Sequence, residues 1–304
     1  MTVADIIERA EALDGKYTVS PDWNRCFDIA GANRHRNTGG VAAHGNLEWD
    51  AATGLQAFHA GQPASPFAGQ PVHRVRIVRA PDGGQLRGCL TGRKSIKTVG
   101  YPSAKMRCVR YGEGETEDAR LGAEEVDTKV VHGISQFCRV EALIGDSWRC
   151  ALPDGAALYS DGRRAVIDCK RDWGGFKSFK NAAQAFLVEL AAETLGWDYE
   201  RYVLHNAGDA IRRENVDEVQ ASRFVPVPDR LVAIAAGALA VGPMTLGDLS
   251  LMLHRDPANG RSMAYALMVK RVVAIDLTRR LSSKSECRAV PPLPGWMPSL
   301  RRPD

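Results

Sequence analysis

Hydrophobic and polar positions divide the chain into three stretches of different rhythm. Residues 1–70 open with apolar Ile6, Ile7, Ala10 and Leu13, spaced for one face of a helix over Val3–Leu13. A Gly-, Asn- and Ala-rich tract from Ile29 to Pro66 follows, with weak periodicity. Residues 71–225 mix strand and helix patterns. Val72–Val78 alternates Val with Arg and predicts a strand, Gly114–Glu125 predicts a helix, and Val130–Ala142 and Trp148–Leu152 predict strands. Ala156–Tyr159 and Ala165–Lys170 predict two further strands around Ser160-Asp161-Gly162, a hairpin turn signal. Phe179–Leu195 predicts a long amphipathic helix capped by Gly196, and Arg201–His205 a short strand. Residues 226–304 begin after Pro226 and Pro228 and are mainly helical. Asp229–Leu239 forms one helix, Thr245 caps a second with Asp248 at its third position, and Gly260–Val269 is a third. Val272–Leu277 and Ser285–Val290 pair as a small hairpin. Three helices and a hairpin outline a winged helix-turn-helix.

The length suggests two or three domains. With 44% hydrophobic and 25% charged residues, the composition excludes disordered, collagen-like and fibrous classes. Asp5, Glu8, Glu11 and Asp14 argue against a secretory leader. The longest apolar stretch, Leu231–Met244, is too short and too glycine-rich to span a bilayer, so a cytoplasmic protein without a membrane partner is expected. Seven cysteines without a Cys-x-x-Cys pair, and histidines scattered away from them, point to reduced structural thiols rather than zinc or a thiol nucleophile.

Net charge is +4, unevenly spread. Residues 71–110 carry ten Lys/Arg against one acid, and residues 251–304 ten against four. Such segments attract phosphate backbones through counterion release, and they fit a solvated surface equally well. Arg261, Lys270, Arg279, Arg280 and Lys284 fall on the third helix and wing of the C-terminal region, which favours nucleic-acid or partner binding there.

The chemistry concentrates in Leu152-Pro153-Asp154 and Ala165-Val166-Ile167-Asp168-Cys169-Lys170. Side chains alternate along a strand, so Asp168 and Lys170 share a face and Cys169 takes the other. Asp154 stands at the mouth of the partner strand. Two carboxylates and an ammonium suit phosphodiester hydrolysis: magnesium binds one or two carboxylates plus waters and phosphate, and a lysine orients water or stabilises the phosphorane. Upstream, Glu113 and Glu117 are four apart and share a helix face if both are helical, with Glu115 the off-face alternative. Glu117 would complete the metal ligation. Each piece alone has an ordinary explanation: a Pro-Asp turn, a solvated glutamate face. The ordered set, from acidic helix through Pro-Asp, hairpin and Asp-x-Lys to long helix, is more specific.

At these residues the chain resembles the PD-(D/E)xK nuclease superfamily, and within it the TnsA-type endonuclease subunits of heteromeric transposases. The likeness covers about residues 100–290. It runs through Tyr101-Pro-Ser-Ala-Lys-Met106, Tyr111-Gly-Glu-Gly-Glu-Thr-Glu117, Gln136-Phe137, Pro153-Asp154, Asp168-Cys-Lys170 and a closing segment with Ile211, Glu214-Asn215 and Val219. The resemblance implies an α/β fold, with a restriction-endonuclease-like mixed sheet flanked by helices in residues 71–225 and a helical, winged-helix-like domain in residues 226–304. It implies an endonuclease that cuts double-stranded DNA at transposon 5′ ends. Glu117, Asp154 and Asp168 would bind Mg2+ (or Mn2+), Lys170 would be catalytic, and Gln136 is a weaker candidate. The implied partners are a DDE-type, TnsB-like transposase subunit and an AAA+, TnsC-like ATPase. Gly155 and Gly114 depart from the family pattern. The alternatives are a stand-alone restriction, defence or repair nuclease with the same core, and a DNA-binding protein on a dead nuclease fold.

Overall fold

The computed structural model describes residues 47–50, 67, 70, 72–80, 83–86, 97–177, 179–205 and 209–300. The helix expected over Val3–Leu13 and most of residues 1–70 lie outside them. The described chain is mixed α/β, with four sheets and six α-helices.

One four-stranded sheet has the order β1 (Leu47–Asp50), β2 (Val72–Arg79), β6 (Cys138–Ile144), β7 (Ser147–Ala151), antiparallel throughout. A second has the order β10 (Asp198–Val203), β9 (Arg164–Lys170), β8 (Gly155–Tyr159), β5 (Val130–Ser135). Here β5, β8 and β9 are antiparallel, whereas β10 runs parallel to β9. A parallel neighbour requires a crossover, and helix α2 (Phe179–Leu195) supplies it. Gly196, at φ +64, ends α2: its N–H bonds the Glu193 carbonyl and that of Trp197 bonds Ala192. Because α2 packs against strands of both sheets, its apolar residues wrap almost the whole helix. Phe186, Leu187, Val188, Leu190 and Ala191 are buried with Val75, Ile77, Val140, Ala142, Ala156 and Val166 in one core.

The single strand expected over Val130–Ala142 is a correction. The chain breaks at Gln136, which takes a left-handed φ of +42, and β5 and β6 then enter different sheets. Apolar runs on either side of a non-glycine break read as continuous in sequence. A second hairpin, β3 (Thr98–Ser103) with β4 (Cys108–Glu113), was not anticipated. It carries the chain into helix α1 (Gly114–Val126), on the opposite face of the second sheet from α2.

Helix α3 (Ala210–Gln220) leads to α4 (Asp229–Val241), β11 (Met244–Thr245), α5 (Leu246–Leu253), α6 (Pro257–Val269), β12 (Val273–Ile275) and β13 (Glu286–Ala289). The expected cap is present: the Asp248 amide donates to Thr245 Oγ1 at 3.1 Å. The expected hairpin pairs Val273 with Ala289, and β11 joins its outer edge. This region's core also takes in Val126, Val216 and Val219. Conversely, Leu300 and Met297 pack in the first core. Packing therefore crosses residue 226 in both directions.

The basic segment of residues 71–110 is only partly a surface. Arg79 and Arg110 are buried, and Lys105 Nζ donates to the carbonyls of Glu124, Asp127 and Val130 at the end of α1. Arg87, Arg93 and Lys94 lie outside the described residues. Among the described residues no helix is long and apolar enough to cross a membrane.

Gly260 tests how closely α5 and α6 approach, because a Cβ there would run into the Ser250 carbonyl oxygen. Gly260→Ala is expected to cost about 3 kcal/mol through overpacking. Urea denaturation measures it, and an unchanged midpoint would mean that the helices have room to separate.

Candidate active site

The candidate residues gather where β8 begins and β9 ends. The β8–β9 register pairs Gly155 with Ile167 and Ala156 with Val166, so one step beyond Gly155 sets Asp154 opposite Asp168. Asp168 is fully buried. Lys170, two residues along the same face, places Nζ 2.6 Å from Asp168 Oδ1 and also donates to the Cys169 carbonyl at 3.1 Å. Asp154 turns its carboxylate along the edge of β9, where Oδ2 accepts the Cys169 amide at 2.6 Å. The Asp154 carbonyl accepts the Gln136 amide at 3.1 Å, so the left-handed break is what ties down the Pro-Asp turn.

Glu117 arrives from the first turn of α1 and is buried, whereas Glu115 is exposed. Glu115 lines a separate cleft of about 510 Å3 with Asp118, Asp209 and Asp217. Glu113 is the N-cap, in extended conformation, so it shares no helix face with Glu117. The spacing thus singles out the glutamate that is buried, although its supposed partner is not helical. Gln136 is buried beside the turn, with Oε1 receiving no hydrogen bond.

Burial first, and the Asp154 carboxylate second, push Glu117 well above the usual carboxylate range, against the pull of Arg120. The same two causes push Asp168 up to about 8, against Lys170. Burial pulls Lys170 down, but Asp154 and Asp168 more than offset it, so the amine stays an ammonium at neutral pH. The Cys169 thiol is buried and driven up, which makes it a structural thiol and not a nucleophile. Cys108, Cys138 and Cys287 are also free.

Two buried carboxylate oxygens, Glu117 Oε2 and Asp168 Oδ2, receive no hydrogen bond. Asp154 is the acid nearest to both in its effect, but it is another acceptor and offers a hydrogen only if one carboxyl of the cluster is protonated. Among the described residues no group of three or more His, Cys, Asp or Glu side chains is placed so that it could hold a metal ion. Hard carboxylate oxygens with unused lone pairs suit a magnesium ion that keeps most of its waters.

Sequence reasoning missed Arg120. Its guanidinium is buried behind Asp154, donating from Nη2 to the Asp154 carbonyl at 3.1 Å and from Nη1 to Glu124. Its spacing of three from Glu117 and four from Glu124 on one helix was the available clue. Also missed was the 3-10 turn Trp173–Phe176 that follows β9. There, Phe176 lies under Lys170 Nζ and the Arg201 guanidinium, each 5.4 Å from the ring centre, and Trp173 is half exposed.

No protein-family model matches the chain, and a search of curated proteins finds no match.

An acid that ionises later in the folded than in the unfolded state holds the extra proton when folded, so its contribution to stability is lost as pH rises through the folded value. For Asp168 the window runs from 3.8 to about 8. In chelated buffer, Asp168→Asn is expected to gain melting temperature relative to wild type across that window. Parallel melting curves at every pH would show that Asp168 ionises normally.

Proposed function

We propose that the chain is a magnesium-dependent DNA endonuclease of the PD-(D/E)xK type, acting as a TnsA-like subunit that cuts at transposon 5′ ends. The observation that carries this reading is the facing pair Asp154 and Asp168, with the Lys170 ammonium on Asp168 and the unpaired Glu117 oxygen beyond Asp154. Such a buried cluster of acids is costly without a cation. The order of elements agrees: acidic helix α1, strand β5, the β8–β9 hairpin, crossover helix α2, and β10 parallel to β9.

Asp154 and Asp168, with Glu117, would hold the ion. Magnesium bound there neutralises charge on the phosphate and activates a water. Lys170 is held as a cation by Asp168 and backed by Phe176. It therefore stabilises charge developing on the phosphate oxygens rather than acting as a base. Asp154 keeps its orientation through the Cys169 amide. Beside Lys170, exposed Arg171, Trp173 and Lys177 form the aromatic and basic rim that a nucleic-acid strand would meet.

The C-terminal region fits a winged helix. Its sheet order is β11-β13-β12, α5 and α6 pack closely, and Arg279, Arg280 and Lys284 are exposed between β12 and β13. The Asn215 side-chain amide donates to the carbonyls of Leu277 and Arg279, at 2.8 and 2.7 Å, and so fixes the base of that wing. Double-stranded DNA, a DDE-type transposase and an AAA+ ATPase are the proposed partners.

With Mg2+, purified protein should nick supercoiled plasmid, alone or with the products of neighbouring genes. Asp154→Ala and Lys170→Ala are each expected to lose roughly 100-fold or more while remaining folded by circular dichroism. Variants that cut like wild type would remove these residues from catalysis. Full activity without partners would favour a stand-alone nuclease.

A further inference from the structure

The face of the second sheet that meets α1 is unusually bare. Gly133 on β5, and Gly155 and Ala157 on β8, line it, with Gly133 opposite Ala157 and Ser135 opposite Gly155 in register. A buried ionic array lies on this floor. Arg110 Nη1 bonds Glu124 Oε2 at 2.5 Å, Arg120 bonds the other Glu124 oxygen, and all three side chains are buried. The glycines are needed for it. A Cβ on Gly133 would stand 2.6 Å from Glu124 Oε2, and one on Gly155 2.7 Å from Arg120 Nη1. Two cations and one anion leave an excess positive charge, and it faces Glu117 and Asp154.

We propose that Arg120 is a positioning residue of the acidic centre: it fixes Asp154 through its backbone carbonyl and is the standing counter-charge beside Glu117 and Asp154, with Gly155 making room for it. The inference rests on the nuclease reading only for its catalytic consequence. The structural part concerns the Asp154 turn alone. Arg120 spans α1 and the sheet, with one nitrogen on Glu124 in its own helix and another on Asp154, 34 residues away. A lysine offers one nitrogen and cannot reproduce that fork. Gly155 stands at the very position where any side chain would displace the guanidinium. Arg120 also ranks among the influences that favour the ionised form of Glu117, which agrees with the geometry.

The test uses the full chain labelled with 15N-cysteine, which gives seven backbone amides. The Cys169 amide reports directly on Asp154, because Asp154 Oδ2 is its acceptor. Cys138 and Cys287 lie in other sheets and serve as controls. In Arg120→Gln, Glu124 keeps Arg110 as its partner. Cys169 hydrogen exchange is expected to accelerate about tenfold or more with the controls unmoved. On plasmid DNA with Mg2+, kcat should fall about 100-fold with KM little changed. Gly155→Ala should shift both readouts in the same direction. The double variant should be no worse than Arg120→Gln, because the two changes act on one contact. Unchanged Cys169 exchange together with wild-type kcat in Arg120→Gln overturns the proposal and leaves the nuclease reading standing. If the wild type cuts nothing, that reading fails and the exchange data alone decide the role of Arg120. If Arg120→Gln does not fold, Gly155→Ala decides the same question in a chain that retains the arginine.

Discussion

Arg120 lies between α1 and the second sheet with Glu124 on one side and the Asp154 turn on the other, and the acidic centre is arranged around that contact. Glu117 and Asp168 are buried, half-buried Asp154 raises the cost of ionising each of them, and lost hydration is worth several kcal/mol per ion in a protein interior. Two positive groups stand against this cost from opposite directions. Lys170 reaches Asp168 from the α2 side, and Arg120 reaches the Asp154 turn from the α1 side. The remaining imbalance appears as the raised pKa values of Glu117 and Asp168 and as two oxygens without a donor. A structure that only needed stability would have replaced these groups with apolar ones of similar volume. The proposed cation would offset the negative charge that remains.

Much of the fold around this centre was legible because it is written in local periods. The alternation in Ala165–Lys170, the Asp161-Gly162 turn and the apolar repeat of Phe179–Leu195 each depend on residues within a few positions of one another. All three elements appear close to their expected limits. That Asp154 faces Asp168 also follows from the hairpin, since a tight turn fixes the register. Glu117 was legible for a weaker reason. Its spacing suggested a pair with Glu113, but Glu113 caps the helix from outside it, and burial alone distinguishes Glu117 from Glu115.

What could not be read depends on long-range packing or on backbone conformations that residue type does not announce. Gln136 adopts a left-handed φ without being glycine, so nothing in Val130–Ala142 advertised two strands in two sheets. The β3–β4 hairpin is diluted by Gly100, Pro102 and Gly112, which obscure its alternation. The basic run of residues 71–110 suggested a uniform phosphate-binding surface. Arg79 and Arg110 instead spend their charge in the interior, and Lys105 caps the carbonyls at the end of α1. Composition counts charges but not the side of the sheet on which they lie.

Helix α1 gives these separate observations a common mechanical consequence. Its first turn carries Glu117, its middle carries Arg120 and Glu124, and its last residue, Val126, is buried in the C-terminal core with Val216 and Val219. Its end is held a second time by Ser103 and the amides of Ala104 and Lys105 on Glu125, and by Lys105 on three carbonyls. The stretch around Ser103 and Lys105 therefore acts on the acidic centre indirectly, by fixing the helix that delivers Glu117. The C-terminal region is also held just beyond the end of α1, where Arg271 Nε donates to the Thr128 carbonyl, and on α3, where the Tyr265 hydroxyl donates to Glu218. A rigid helix shared in this way cannot shift at one end without moving the other. The position of Glu117 relative to Asp154 is therefore set in part by packing in the C-terminal core, not by the sheet alone.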